Sequence, residues 1–293
     1  MEENLLKIGI ITNEISEDFE YALGVIKKMN LKYIELTNLW GKEIGDLSNK
    51  EISRLKELID KYEFKVSCLA GWSFLGLPLW VREDYQTYDL LTGWGSYTKH
   101  LERLKRTIEI AHILKTNIVR CFSFKTEVIL DDKIWEKLIE KYQKPIQIAE
   151  NENVILAIEC CPFCNMSTGY LMHELIERIG SNNLRILWDP ANSFYSMGEN
   201  PFPLEYQYIK NFIVHIHLKD FIMDKKINMF DCVPAGQGIM STLDLLKRLI
   251  KDNYQGVISL EPEFTPKGGT LEEGTLQFFN NFKKMLHTIG QKC

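Results

Sequence analysis

The sequence predicts an α/β protein, a parallel eight-stranded (β/α)8 barrel of the TIM-barrel type. Short, β-branched apolar runs alternate with longer stretches of helical periodicity eight times along the 293 residues. Most of these runs are almost continuously apolar, as strands covered on both faces are. Alternation of this kind implies a parallel sheet, and eight units favour closure over an open doubly wound sheet. The open-sheet alternative that binds dinucleotides would carry GxGxxG after its first strand, where this chain reads TNEISED.

The units follow in order. KIGIIT at 7–12 precedes a helix at 17–29, and KYIEL at 32–36 precedes one at 49–62. FKVSCLA at 64–70 leads through a long aromatic loop to a helix at 97–115. NIVRCF at 117–122 is followed by a helix at 131–151, and NVILAIE at 153–159 by one at 170–180. LRILWD at 184–189 is followed by a short helix at 204–210, and FIVHIHL at 212–218 by one at 241–252. GVISLE at 256–261 is the last strand, and a helix at 271–288 closes the series. No low-complexity stretch or Pro/Gly/Ser-rich linker interrupts the pattern, so residues 1–293 are expected to form a single TIM-barrel domain.

Bulk properties narrow the function classes. Hydrophobic residues make up 45% and charged residues 26% of the chain, an ordinary globular balance. The formal net charge of −5 works against a polyanion, so no nucleic-acid partner is expected. No apolar run reaches the length of a membrane span, and MEENLLKIGI lacks the basic start of a signal peptide. A cytoplasmic protein with no membrane partner is the expectation. The odd number of cysteines, seven, fits reduced thiols better than a disulfide framework. The CPFC stretch at 161–164 lacks the second pair a structural zinc site needs, and is read as reduced thiols.

Ionisable residues at strand ends carry the chemistry. A charged side chain within an apolar strand is costly unless it is paired or bound to metal. Glu159 ends the fifth strand, Asp189 the sixth and Glu261 the eighth, and His217 lies near the end of the seventh. Parallel strand ends converge on one face of a barrel, so these four residues should meet. Three carboxylates packed together repel, and a cation resolves the conflict. Their oxygens with one imidazole form a fairly hard donor set, suited to one divalent ion, Mn²⁺ or Mg²⁺, with Co²⁺ also admitted.

His215 shares the face of His217 but lies one layer deeper, where it is expected to support the ligands by hydrogen bonding without binding the ion itself. Lys219 continues that face to the rim, within reach of a substrate oxygen. Arg120 ends the fourth strand, placed either to bind a phosphate or sugar oxygen or to pair with Glu159. The loop at 71–96 holds three tryptophans and two tyrosines. It is either a hydrophobic cap or, through residues such as Trp72, a surface on which a sugar stacks.

The segments AIECCP, WDPANS, HIHLKD and LEPEF, in this order and spacing, resemble the xylose-isomerase-like TIM-barrel superfamily. The similarity is greatest to its sugar phosphate isomerase/epimerase group. The opening GIITNEISEDFEYAL and YIELTNLWG resemble that group's first two strands. The resemblance implies Glu159, Asp189, His217 and Glu261 as metal ligands, choosing His217 over His215. It gives Glu159 and Glu261 a second role as acid and base. It makes Asn192, three residues after the aspartate, a substrate contact where ketose epimerases carry a histidine. A further departure is Asn165, which stands where the ketose 3-epimerases have an acid. VPAGQGIM resembles the group's Gly-x-Gly turn after the seventh strand, with Gln237 where a charged residue is common.

The expected activity is metal-dependent isomerisation or epimerisation of a sugar or polyol derivative by proton transfer next to a carbonyl. A cation stabilises the enediolate that forms, while one glutamate removes the proton and the other returns it. A lyase or dehydratase acting on a keto sugar or inosose is the alternative within enzymes. A non-catalytic sugar-binding barrel is the alternative of another class. The partner is a small sugar or polyol, and self-association into a homo-oligomer stays open.

Overall fold

A computed structural model describes residues 5–89, 93–127, 129–224 and 229–291. Parts of the amino-terminal reading (1–4) and of the aromatic loop (90–92) lie outside the described residues. The barrel strands are β1 (Lys7–Ile11), β2 (Tyr33–Leu36), β3 (Lys65–Ser73), β4 (Ile118–Cys121), β5 (Ile155–Glu159), β6 (Leu184–Trp188), β7 (Ile213–Leu218) and β8 (Val257–Leu260). They close in the ring order β1-β8-β7-β6-β5-β4-β3-β2, and every neighbouring pair is parallel. The helices between and after them are α1 (Phe19–Lys28), α2 (Asn49–Tyr62), α3 (Tyr97–Leu114), α4 (Asp132–Asn151), α5 (Gly169–Ile179), α6 (Pro190–Met197), α7 (Leu204–Ile209), α8 (Thr242–Lys251) and α9 (Leu271–Thr288). The fold is thus the TIM barrel, as predicted.

Local chemistry explains the helix limits. α2 starts where Ser48 Oγ accepts the Glu51 N–H at 3.3 Å and Glu51 Oε2 accepts the Ser48 N–H at 2.8 Å. This reciprocal cap satisfies two donors that a helix start would otherwise leave open. Ile52, Leu55, Leu58 and Ile59 then recur on one buried face. α6 lies outside the predicted helices, because PANSFYSM is short and poor in strong helix formers. It forms because Asp189 caps it, accepting the N–H groups of Ala191 (2.8 Å) and Asn192 (3.0 Å), and Pro190 occupies the first turn.

The strands alternate with period 2. Ile10, Ile34, Val119, Leu156, Ile186, Ile216 and Ile258 face outward into the main core beneath the helices. The intervening residues face the barrel axis. There Cys68, Ala157 and Leu187 form a small apolar plug. Buried Glu35, Arg120, Glu159, His215, His217 and Ser259 share the remaining axial positions. The axis of this barrel is therefore largely polar, and each polar group on it needs a partner.

Excursions from the ring shape its rim. The aromatic loop carries secondary structure of its own. β3 runs on to Ser73, and Thr87–Asp89 pairs with Gly93–Gly95 as an antiparallel hairpin. A second hairpin, Phe221–Asp224 with Met229–Cys232, follows β7. No described helix is long and apolar enough to cross a membrane.

Candidate metal centre

Each candidate ligand is placed by its strand. Glu159 is the last residue of β5, and Asp189 and Glu261 follow β6 and β8 directly. The Glu261 N–H donates to Leu218 O at 3.1 Å, which extends the β7–β8 pairing by one step. The structure brings together one ligand atom from each of Glu159, Asp189, His217 and Glu261, all within 4.8 Å of one another. His217 Nδ1 lies 3.3 Å from Glu159 Oε1 and 3.2 Å from Glu261 Oε2.

The donor set fits a divalent cation. His217 Nδ1 and Asp189 Oδ2 are buried and aligned with no hydrogen-bond partner among the described residues. Asp189 Oδ1 is committed to capping α6, so Oδ2 is the atom left to bind. Lys219 Nζ approaches that oxygen at 3.1 Å without hydrogen-bonding alignment. Three carboxylates and one imidazole, two of these residues with an orphaned buried atom, make an oxygen-rich donor set that could hold one ion.

The protonation balance shows the same need for positive charge. Burial pushes the Asp189 carboxyl up to about 6, with Glu261 and Glu159 adding to the rise against Lys219. Burial opposes charge on Glu261 too, but Lys219 and His217 hold it below the usual carboxylate range. Burial disfavours a charged His217, yet Glu35, Glu261 and Glu159 hold its imidazolium form well above the ordinary range. Lys219 resists burial through Asp189, Glu261 and Glu263, the last at 2.9 Å. Without an added ion, protons, the Lys219 ammonium and the Arg120 guanidinium carry the neutralisation.

The supporting residues are equally specific. Arg120 Nη1 donates to Glu159 Oε2 at 2.7 Å. Its other nitrogens donate to Ala70 O (2.6 Å) and Gly71 O (3.2 Å). Those carbonyls are free because the β3–β4 register shifts between Leu69 and Ser73, so the chain bulges there and turns them inward. Of the two readings for Arg120, the structure shows the pairing with Glu159. Asn192 Nδ2 donates to Cys160 O at 3.0 Å and lies 3.5 Å from Glu159 Oε1. His215 does lie deeper, with no hydrogen bond or ion pair to the three carboxylates of the centre among the described residues. Its Nε2 is 2.7 Å from Glu35 Oε2.

Two acids escaped the sequence reading. Glu35, on β2, also meets His217, with Oε1 2.9 Å from Nε2. Its segment YIEL shows the same acid-within-a-strand signal as the four ligands. Glu14 stands in the turn after β1 and accepts the Glu263 N–H at 2.9 Å. Burial pushes its carboxyl to about 7, with Glu261 adding to the rise. No periodicity marks such a turn residue in advance.

The centre forms the floor of a cavity of about 490 Å³. Trp72, Leu75, Phe122 and Phe163 line one side, and Glu14, Asn192, Lys219 and Glu263 line the other. Trp72 is held in place by its Nε1, which donates to Thr37 Oγ1 at 2.8 Å. Asp220, next to Lys219, anchors the rim behind it. Its carboxylate accepts the N–H groups of Phe221 (3.0 Å), Gly236 (2.9 Å), Gly238 (3.0 Å) and Met240 (3.2 Å). A Cβ at Gly238 would meet Asp220 Oδ1 at 2.1 Å, which explains the glycine. Gln237, between the two glycines, is exposed.

Asn165 has a structural task. Its Nδ2 donates to Ser123 O (2.8 Å) and Lys125 O (3.0 Å), and its Oδ1 accepts the Glu127 N–H (2.9 Å). An acid here would lose both donors. Asn165→Asp is therefore expected to lower unfolding stability by about 1–3 kcal/mol in urea titration. Unchanged stability would show that this loop does not depend on the amide. The neighbouring Cys161 and Cys164 are buried free thiols.

Comparison with known proteins bears on the fold and the family. The chain is 23% identical over 253 residues to an inosose dehydratase from Glaesserella parasuis, covering 79% of this chain and 80% of that protein. Its fold matches the 3-keto-D-glucoside 4-epimerase of E. coli with TM-score 0.70 and 16% identity, over 96% of this chain and 99% of that one. It matches the IOLI protein, solved with a bound zinc atom, with TM-score 0.73 and 19% identity, over 97% and 99% of the two chains. A sequence model of the xylose isomerase-like TIM barrel matches residues 23–281, and the chain belongs to that family.

Proposed function

We propose that the chain is a metal-dependent isomerase or epimerase of a sugar or polyol derivative, working by proton transfer on a carbon next to a carbonyl. The observation that carries this reading is the approach of two glutamates, Glu159 and Glu261, to the same nitrogen of His217. Both contribute to the candidate ligand set, and both border the cavity.

Glu159, Asp189, His217 and Glu261 would hold one divalent ion, with Mn²⁺ and Mg²⁺ the best fits to the donors and Co²⁺ also suitable. Bound there, the ion supplies Lewis-acid polarisation of a substrate carbonyl. Glu159 and Glu261 remove and return the proton. Lys219 and Asn192 offer N–H donors to substrate oxygens, and the face of Trp72 lies against the carbon skeleton. Arg120 borders the same space and steadies Glu159.

Elimination is a second reading, favoured by the similarity to an inosose dehydratase. The same proton removal leads to it when a leaving group stands on the neighbouring carbon. One experiment separates the two. The Mn²⁺-loaded protein is incubated in D₂O with a panel of ketoses, 3-keto sugars and inososes and followed by NMR. Deuterium beside the carbonyl with a new epimer or isomer supports the first reading, and loss of water or aglycone supports the second. Neither change with any substrate would overturn both.

A further inference from the structure

The axis of the barrel holds a carboxylate outside the four-residue centre. Glu35, His215 and His217 are each 0% exposed. Glu35 Oε2 lies 2.7 Å from His215 Nε2, and Oε1 lies 2.9 Å from His217 Nε2. These are ordinary lengths for charge-assisted hydrogen bonds. No further hydrogen bond reaches this carboxylate among the described residues, so a buried anion rests on two imidazole N–H groups. Each ring must then carry a proton on Nε2. For His217 that choice decides what Nδ1 can do. Nδ1 is the atom facing Glu159 and Glu261, and with Nε2 protonated it presents a lone pair to the centre in the neutral ring.

We propose that Glu35 is the positioning residue of the metal centre. Its carboxylate fixes the tautomer and ring plane of His217 so that Nδ1 is the binding atom, and His215 clamps the other oxygen so that Glu35 cannot rotate away. This inference rests on the metal-centre reading above. It also accounts for the depth of His215, whose hydrogen bond reaches the centre by way of Glu35. The rings of His215 and His217 stand edge to face, with centroids 5.7 Å apart at 83°, a packing that holds both against the carboxylate.

A rival reading would place a second ion among Glu35, His215 and His217, whose candidate ligand atoms also lie within 4.8 Å of one another. It requires both Nε2 atoms to give up their protons, and would leave His217 bridging two cations through a ring without any N–H. The hydrogen-bond distances favour the single-ion arrangement.

The test uses the full chain, stripped of metal and titrated with Mn²⁺ against a competing chelator. Wild type is expected to bind one equivalent. Glu35→Gln keeps the shape but has one acceptor oxygen for two N–H groups and no charge. It is expected to bind Mn²⁺ about 10–100-fold more weakly while its circular dichroism stays that of wild type. A role in folding alone would leave the affinity of the folded variant unchanged, and that result overturns the proposal. Two equivalents bound by wild type, with the second lost in Glu35→Gln, also overturn it. No binding by wild type overturns the metal-centre reading and this inference together. If Glu35→Gln does not fold, ¹⁵N-imidazole NMR of Zn²⁺-loaded wild type decides. A proton on Nε2 of His217 is expected, and a proton on Nδ1 refutes the assignment.

Discussion

Glu159→Gln is expected to lower solvent-deuterium exchange into the substrate by about 10²–10⁴-fold, the usual contribution of a positioned acid–base group. Substrate binding should stay measurable. The variant suits the purpose because the amide keeps the volume of the side chain and one oxygen that can still accept from Arg120 Nη1. Glu159→Ala would test something else. It would leave a buried guanidinium facing an empty space, a loss on the order of 3–5 kcal/mol. Exchange would be read by NMR in D₂O and binding by calorimetry. Normal exchange in Glu159→Gln would remove this residue from the proton path.

Chelation is expected to abolish turnover, with recovery on adding Mn²⁺, Mg²⁺ or Co²⁺. The effect on stability should be equally plain. Metal at one hundred times its dissociation constant adds about 2.7 kcal/mol to unfolding stability. The reason is electrostatic. Glu159, Asp189 and Glu261 converge, Asp189 Oδ2 among them has no hydrogen-bond partner among the described residues, and Lys219 is shared among Asp189, Glu261 and Glu263. An ion relieves that crowding in the folded state only. Thermal melts with and without chelator measure it. An unchanged melting temperature together with undiminished turnover would refute metal dependence.

Much of this architecture is legible in the sequence. Strand positions follow from runs such as ILAIE and VISL, because outward-facing Ile and Leu bury against helices while inward positions stay short, small or polar. α2 and α9 start and stop where their caps, Ser48 and Thr270, and their apolar periodicity place them. Helix α6 is different, since an aspartate cap and a proline in the first turn create it where propensity would not. The rim hairpins likewise depend on cross-strand pairing that no local pattern announces.

The candidate site divides in the same way. Glu159, Asp189, His217 and Glu261 stand out because each places charge or an imidazole at an apolar strand end. Glu35 gives the same signal in YIEL, but its partners lie 180 and 182 residues away, and nothing local points to them. The bond between Arg120 and the Ala70 and Gly71 carbonyls depends on a bulge, which sequence periodicity does not register.

The contact between Glu35 and the two histidines joins β2 to β7, strands that are not neighbours in the ring. The four candidate ligands all come from the second half of the chain, while Glu35 and Arg120, which aim two of them, come from the first. Labour is thus divided between the half-barrels: one carries the donors and the other sets their direction. Expressed separately, the carboxy-terminal half would own every ligand atom and lack the two groups that orient them. Recovery of tight metal binding on mixing the halves would therefore report ring closure itself, making the centre a built-in gauge of barrel assembly.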